Sequence, residues 1–212
     1  MKLYNYFRSS AAYRVRIVLA LKGIEYEYVP VHLQKGEQRA PPYRSLNAQE
    51  LVPTLVDGDA TITQSLAIIE YLDERHREPP LLPPGAAERA RVRAIALAIA
   101  CDIHPLNNLR VLQYLVRTLG VSEEAKNAWY RHWIDIGLGA LETMLTDDPR
   151  TGLCCHGDAP TLADVCLVPQ IANALRMDIA LAPFPTVVRI DAHCRSLDAF
   201  ARAAPEQQPD AQ

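Results

Sequence analysis

Two hydrophobic patterns divide the chain at a proline-rich segment. Before it, short stretches with alternating apolar and polar positions are followed by stretches with an apolar residue every three or four positions. The first pattern predicts strands and the second predicts amphipathic helices. After the segment only the helical pattern is present. We therefore predict an α/β domain over 1–78, a linker over 79–85, an all-α domain over 86–204 and a polar, frayed tail over 205–212.

The first domain is predicted to contain a mixed sheet with helices. We expect strands at 2–7, 26–33 and on both sides of a hairpin within 55–63, and helices at 9–22 and 65–75. Gly23 follows the first helix as a stop signal, and Asp57-Gly58 is typical of a tight hairpin turn. This order of elements favours a compact α/β unit.

The second domain is predicted to be entirely helical. One or two long helices are expected over 87–119, and further helices at 122–145, from 161 onward, at 186–195 and at 197–204. Pro105 should bend the chain within 87–119, and Pro169 should kink the helix that begins at 161. Ser122 is a candidate N-cap, and Thr161 with Asp164 has the spacing of a capping box.

Composition and charge exclude several classes of protein. The 212 residues are 49% apolar and carry a formal net charge of −3, without a basic stripe for nucleic acid. No apolar run approaches the length of a membrane span, and residues 1–8 become charged too early for a signal peptide. We therefore expect a cytoplasmic protein that binds neither nucleic acid nor membrane.

The cysteines are predicted to be reduced and structural. Their number is odd, no pair has CxxC spacing, and adjacent cysteines rarely have the geometry of a disulfide. The histidines supply no metal-ligand spacing either, so we expect no metal. The cysteines are Cys101, Cys154, Cys155, Cys166 and Cys194.

Two short segments of the first domain could contact an anion or a peptide. Ser9 and Ser10 lie where the first strand meets the first helix, a place that favours an anion such as a thiolate. An ordinary N-cap is the simpler interpretation. Val52-Pro53 leads into a strand, and a cis bond there would leave the Val52 backbone free to pair with a peptide. A trans proline at a strand start is the alternative.

A third segment completes a possible binding groove. Gln64 and Ser65 precede the second clear helix, where Ser65 is a candidate N-cap and its N–H could bind a carboxylate. Each of the three signals is weak alone. Together they predict a groove for a small peptide thiol that ends in a carboxylate.

The chain resembles the zeta-class glutathione transferases. The resemblance is carried by residues 6–17 (YFRSSAAYRVRI), 52–55 (VPTL), 64–72 (QSLAIIEYL) and 162–170 (LADVCLVPQ). It implies a thioredoxin-like first domain, a cis bond at Pro53, a homodimer and glutathione as cofactor. It also suggests that Gln49 reaches the glycyl end of glutathione, and that Asp102 reaches the γ-glutamyl ammonium across the dimer. The family usually has cysteine where this chain has Ala11. The resemblance therefore does not decide whether the hydroxyl of Ser9 or that of Ser10 stabilises the thiolate.

The resemblance also implies a reaction. Zeta-class proteins isomerise maleylacetoacetate or maleylpyruvate through a glutathione thiolate adduct and an enolate. A dianionic keto substrate favours arginine, whose guanidinium grips a carboxylate with two bonds. Arg8 lies in the signature, Arg176 matches a family position, and Arg110 is a third candidate. For any single arginine, a solvated surface group is the alternative.

Arg110 favours maleylpyruvate, with fumarylpyruvate as product, because an added cation suits the more compact dianion. His104 and Asn108 share a helix face and are possible contacts of glutathione or substrate, whereas an ideal helix would place Arg110 elsewhere. The alternatives are maleylacetoacetate isomerisation, a general glutathione transferase and a non-catalytic binding module on the same fold.

Overall fold

The computed structural model describes residues 1–211 and divides into two compact units. The first contains Met1–Pro80 together with the C-terminal residues from Arg195 onward, and the second contains Leu81–Cys194. This division differs at its C-terminal end from the predicted helical domain over 86–204 and tail over 205–212. Gln212, the last residue of the predicted tail, lies outside the described residues.

A four-stranded mixed sheet forms the centre of the first unit. Its strands are β1 (Lys2–Asn5), β2 (Glu27–Pro30), β3 (Thr54–Asp57) and β4 (Ala60–Thr63), in the order β2-β1-β3-β4. β1 is parallel to β2 and antiparallel to β3, and β3 is antiparallel to β4. Gly58 adopts a φ of 59° in the predicted hairpin turn. This is the thioredoxin-like arrangement that the resemblance implies.

The predicted helices are present with shifted ends, and a further short helix, Pro41–Arg44, lies between β2 and β3. The helices are α1 (Ser10–Leu21), α2 (Pro41–Arg44), α3 (Ser65–Arg75), α4 (Ala86–Leu97), α5 (Leu109–Arg117), α6 (Glu123–Thr146), α7 (Leu162–Arg176), α8 (Pro185–Ser196) and α9 (Asp198–Ala203). α1 ends where Gly23 takes the left-handed conformation, with a φ of 63°.

The C-terminal residues join the first unit because α9 packs against α1. Tyr13 of α1 donates a hydrogen bond from its hydroxyl to the carbonyl of Phe200, over 3.2 Å, and the Phe200 side chain is fully buried. The core also contains Leu3 of β1, Val15 of α1 and Ile68 of α3, none of which is exposed. The sequence pattern predicted the helix α9 but did not indicate which domain it packs against.

The second unit is helical, as predicted, and the stretch predicted as one or two helices over 87–119 is divided between α4 and α5. α4 continues into a π-helical segment, Ala98–Ile103, and a 3-10 turn, Pro105–Asn107, before α5 begins. Ser122 caps α6 by accepting from the N–H of Ala125 over 3.1 Å. The capping box of α7 is present, and Pro169 lies within that helix.

The longest helix of the described chain, α6, carries charged side chains along its length. No helix within residues 1–211 has both the length and the apolar character needed to cross a membrane.

Candidate active site

The turn between β1 and α1 presents Ser9 at the start of a helix. The predicted strand over 2–7 stops at Asn5, because the chain turns here and the N–H of Ser9 donates to the carbonyl of Tyr6 over 2.9 Å. Ser9 is the N-cap of α1, and its Oγ atom accepts from the N–H of Ala12 over 3.2 Å. Since that bond uses only a lone pair, the hydroxyl proton of Ser9 remains a donor.

Ser10 differs from Ser9 in position and exposure. It is the first residue of α1, and only 6% of it is exposed, whereas Ser9 is partly exposed. Ala11 follows it and brings no polar side-chain atom. Of the two serines that the sequence left open, Ser9 is the partly exposed one, and its hydroxyl caps the helix. The N-cap interpretation and the anion-site interpretation are compatible, because the same atom can do both.

The bond between Val52 and Pro53 is cis, as the resemblance implied. Val52 lies just before β3 and is 7% exposed. No hydrogen bond within residues 1–211 engages its backbone N–H or C=O. Buried backbone groups are nearly always paired, so a free pair marks a place where an external peptide can bind.

The start of α3 differs from the prediction at one residue. The predicted N-cap, Ser65, is the first residue of the helix, and the cap is Gln64, which makes no side-chain capping bond. That prediction was wrong because Gln64 takes a φ of 70°, a conformation rare outside glycine, which its type does not signal. The first N–H groups of α3 therefore remain uncapped by Gln64 and can bind a carboxylate.

Side chains around this helix start are held by specific bonds. The Nε2 atom of Gln64 donates to Oε1 of Gln49 over 2.7 Å, and both residues are exposed. The Oγ atom of Ser65 accepts from Nη1 of Arg14 over 3.3 Å, and both are buried. Sequence reasoning missed Arg14, although it lies within the signature segment.

Arg8 is the cation of the first unit that lies next to Ser9. Its guanidinium carbon lies 5.0 Å from the ring centroid of Phe7, and the residue is exposed. Within residues 1–211 it has no ion-pair partner. An exposed, unpaired guanidinium is available to a carboxylate ligand.

In the second unit, His104, Asn108 and Arg110 lie around the start of α5. Asn108 is the N-cap, its Oδ1 atom accepts from the N–H of Arg110 over 3.1 Å, and its Nδ2 atom lies 3.5 Å from Nε2 of His104. The ideal-helix argument does not apply to Arg110, because the helix that contains His104 ends before α5. Arg110 is exposed, as is Asp102 in the π-helical segment.

Arg176 is held by two side chains of its own unit. Its Nη2 atom donates to Oδ1 of Asn173 over 3.0 Å. Burial raises the pKa of Tyr130, and the charge of Arg176 and its hydrogen bond to the Tyr130 hydroxyl partly offset that rise. Sequence reasoning missed both partners. Asn173 could have been found, because it lies three residues before Arg176 on one helix, whereas nothing in the sequence links Tyr130 to it.

A buried cysteine cluster lies apart from these residues in the second unit. All the cysteines are free, as predicted. Cys154, Asp164 and Cys194 are buried, with potential ligand atoms within 4.8 Å of one another. The Asp164 carboxylate accepts from the N–H groups of Cys155 and Thr161, over 2.7 and 2.8 Å. A hydrogen bond with Cys154, together with burial, raises the pKa of Cys194. The cluster thus places the Cys194 thiol, with its raised pKa, beside the carboxylate that caps α7.

Comparison with known proteins agrees with this geometry. Residues 1–74 match the model of the glutathione S-transferase N-terminal domain. A probable maleylacetoacetate isomerase of Vibrio cholerae is 54% identical over 211 residues, which cover 99% of this chain and 97% of the relative. This chain belongs to the zeta-class glutathione transferase family.

Two solved structures of zeta-class relatives extend the comparison over the whole fold. The holo structure of a bacterial zeta-class maleylpyruvate isomerase has a TM-score of 0.98 at 50% identity, with 100% of both chains covered. The structure of a maleylacetoacetate isomerase of Methylobacterium extorquens AM1, with bound malonate and glutathione, has a TM-score of 0.97 at 44% identity, again with 100% of both chains covered. The resemblance found in the sequence is therefore confirmed.

Proposed function

We propose that this protein is a glutathione-dependent cis–trans isomerase that converts maleylpyruvate to fumarylpyruvate. The observation that carries the proposal is the hydroxyl of Ser9, which caps α1 through one lone pair and keeps its proton as a donor at a helix N-terminus. This is the environment that a nucleophilic thiolate requires. This chain, which has that environment at Ser9, is 50% identical to a maleylpyruvate isomerase of known structure.

The residues of the first unit fit the parts of glutathione. The unpaired backbone of Val52 suits the peptide portion, and the N-terminus of α3 at Gln64 and Ser65 suits the γ-glutamyl carboxylate. Ser9 suits the sulfur, and Gln49, fixed by Gln64, suits the glycyl end. Asp102, exposed in the second unit, is assigned to the γ-glutamyl ammonium of glutathione on a partner subunit.

When bound, glutathione supplies a sulfur nucleophile that adds to the cis double bond and leaves again after the bond has rotated. The task of Ser9 is to donate a hydrogen bond to that sulfur. This bond and the positive end of the α1 dipole favour the ionised form and lower the thiol's pKa. The nucleophile is then present at neutral pH without a separate base.

The arginines bind the substrate. Arg8, Arg110 and Arg176 supply fixed positive charge for its two carboxylates and for the negative charge that develops on its ketone oxygen. Arg176 is oriented by its hydrogen bond to Asn173, so its remaining N–H groups are directed before substrate arrives. His104, hydrogen-bonded to Asn108, is a further candidate contact of substrate.

An absorbance assay of maleylpyruvate with and without glutathione tests the proposal. We expect isomerisation only when glutathione is present, and we expect the free thiol concentration to stay constant while many equivalents of product form. Loss of thiol in step with substrate would instead show a conjugating transferase. Absence of any reaction at saturating glutathione would overturn the proposal.

Maleylacetoacetate is the second candidate substrate, because relatives named maleylacetoacetate isomerase are 54% and 44% identical, on either side of the 50% of the maleylpyruvate isomerase. The two substrates differ by one methylene, which a pocket distinguishes by about 1–3 kcal/mol. The comparison is therefore a ratio of kcat/KM values measured under one set of conditions. A ratio that favours maleylacetoacetate by more than about tenfold would assign it as the substrate.

We further propose a cytoplasmic homodimer. Light scattering after gel filtration should give a mass of twice 23.6 kDa. A monomer that retains full activity would remove the role given to Asp102.

A further inference from the structure

Both backbone polar groups of Phe7, its N–H and its carbonyl, form hydrogen bonds with charged side chains. Its N–H donates to Oδ2 of Asp210 over 3.2 Å, and its carbonyl accepts from Nη2 of Arg16 over 3.0 Å. Phe7 is 5% exposed and lies two residues before Ser9. One peptide segment of the β1–α1 turn is therefore held by a carboxylate and by a guanidinium.

Arg16 is a buried cation that serves the turn and the C-terminal segment together. It is 1% exposed, and its Nε atom donates to the carbonyl of Ala203 over 3.0 Å. Its Nη1 atom donates to Oδ1 of Asn5 over 3.1 Å and reaches the carbonyl of Tyr6 at 3.5 Å. Burial lowers the pKa of Arg16, and the nearby Tyr28 and Asp210 are among the groups that oppose this. A charge with so many acceptors is rigidly placed.

Asp210 is in turn fixed by a second donor. Its Oδ1 atom accepts a short hydrogen bond from the hydroxyl of Tyr28, a residue of β2. The segment that carries Asp210 is anchored by Gln208, whose Nε2 atom donates to the carbonyls of Arg202 and Ala204 over 2.9 and 2.8 Å. The C-terminal residues up to Ala211 therefore form an ordered clasp, although the sequence predicted a frayed tail.

We propose that Asp210 is a positioning residue for the glutathione thiolate, acting through the Phe7 N–H on the turn that presents Ser9. This inference rests on the proposed function. The Ser9 hydroxyl must point at the sulfur within a fraction of an ångström to favour the ionised form. Within the turn, the Ser9 N–H donates to the Tyr6 carbonyl over 2.9 Å. Arg16 holds the Tyr6 and Phe7 carbonyls from α1, and Asp210 adds a restraint on the Phe7 N–H from the far end of the chain.

The test compares Asp210→Ala with Asp210→Asn. The first variant removes both acceptors, and the second keeps an oxygen for the Phe7 N–H and can still pair with Tyr28. We expect Asp210→Ala to weaken glutathione binding about tenfold by calorimetry. We also expect the ultraviolet titration of the bound thiolate to shift to higher pH. Asp210→Asn should restore affinity to within about threefold of the parent protein.

Hydrogen exchange shows whether the effect passes through the turn. In Asp210→Ala the Phe7 amide should exchange at least about tenfold faster, while amides of β3 keep their rates. Asp198→Ala is the matched control, because it removes another aspartate near the C-terminus, which pairs with Arg202 at the surface. It should change neither the affinity nor the thiolate titration.

Three results would overturn the inference: unchanged glutathione affinity in Asp210→Ala, an unchanged thiolate titration, or equal losses in Asp210→Ala and Asp198→Ala. If Asp210→Ala does not fold, Tyr28→Phe replaces it, and an unshifted thiolate titration there has the same meaning. All of these measurements omit the isomerisation substrate. A parent protein that binds glutathione but does not isomerise maleylpyruvate would therefore overturn the proposed function and leave this inference standing.

Discussion

Arg14 and Ser65 connect the first helix of the thioredoxin-like unit to the third. The Nη1 atom of Arg14 lies 3.3 Å from the Oγ atom of Ser65, and 2% of Arg14 is exposed. Because Ser65 accepts this bond, its hydroxyl proton is free to point toward a ligand at the start of α3. The buried Arg14 side chain thus links α1, which Ser9 caps, to α3, whose N-terminus we assign to the glutathione carboxylate.

Replacing Ser65 with alanine should weaken glutathione binding. The variant removes a hydroxyl donor at the N-terminus of α3 and takes an acceptor from the buried guanidinium of Arg14. We expect the dissociation constant measured by calorimetry to rise about fivefold to tenfold. Ser45→Ala is the control, because it removes an exposed serine hydroxyl that bonds only to the carbonyl of Pro42. An unchanged constant in Ser65→Ala would remove Ser65 from the site.

Ser9→Ala and Ser122→Ala separate capping from catalysis. Both serines are N-caps whose Oγ atoms accept from the N–H three residues ahead, over 3.2 and 3.1 Å. Each variant should lose about 1 kcal/mol of unfolding free energy. Only Ser9→Ala should also lower kcat/KM for isomerisation, by about a hundredfold or more, because it alone loses the donor to the thiolate.

Ser10→Ala completes that comparison. Ser10 is buried in the first turn of α1, so its loss should reduce activity far less than the loss of Ser9. Steady-state kinetics at saturating glutathione would decide between them. A larger defect in Ser10→Ala than in Ser9→Ala would move the thiolate donor from Ser9 to Ser10.

The sequence was sufficient for most of the fold, because local patterns determine local structure. The alternation of strands and helices before the prolines, the hairpin at Gly58, the cap at Ser122 and the box at Thr161 all depend on neighbours within a few residues. The capping role of Gln64 was missed because a positive φ at a non-glycine residue has no composition signal.

The parts of the site that escaped prediction depend on distant partners. Asp210 contacts Phe7 across 203 positions, and a polar tail with proline has the composition of a frayed end. Tyr130 reaches Arg176 from another helix, and no periodicity relates the two. Arg8 and Arg176 were predicted from family resemblance and Arg110 as an added cation for a compact dianion, since an exposed arginine alone looks like any solvated one.

Arg110→Ala should separate substrate binding from glutathione binding. Arg110 is exposed in the first turn of α5, and its side chain has no ion-pair partner in the part of the chain that the structure describes. We expect kcat/KM for maleylpyruvate to fall about tenfold to a hundredfold, with the glutathione dissociation constant within about twofold of the parent.

The matched control for Arg110 is Arg117→Ala. Arg117 is an exposed arginine in the last turn of the same helix, seven residues away and on nearly the same face. Its loss should leave both kcat/KM for maleylpyruvate and the glutathione dissociation constant unchanged. If glutathione binding and isomerisation fall together in Arg110→Ala, the residue belongs to the fold or to the cofactor site instead.

Glu142 should make the stability of the second unit depend on acid. Partial burial raises the pKa of its carboxyl, but hydrogen bonds from the N–H groups of Val187 and Thr186, at 2.9 Å each, outweigh this, and the pKa lies below its ordinary value of 4.5. A group with a lowered pKa in the folded state stabilises it above the unfolded pKa and loses that effect as pH falls through the folded value.

Glu142→Gln should therefore lower the melting temperature at pH 7 by a few degrees, about 2–4 °C, and the difference from the parent should shrink steadily as the pH falls below about 4.5. Glu25→Gln, at an exposed position without a hydrogen bond in the described chain, should shift nothing at either pH. Scanning calorimetry across that pH range measures both variants. A deficit in Glu142→Gln that is the same at every pH would mean that packing, and not the ionised carboxylate at the start of α8, accounts for the role of Glu142.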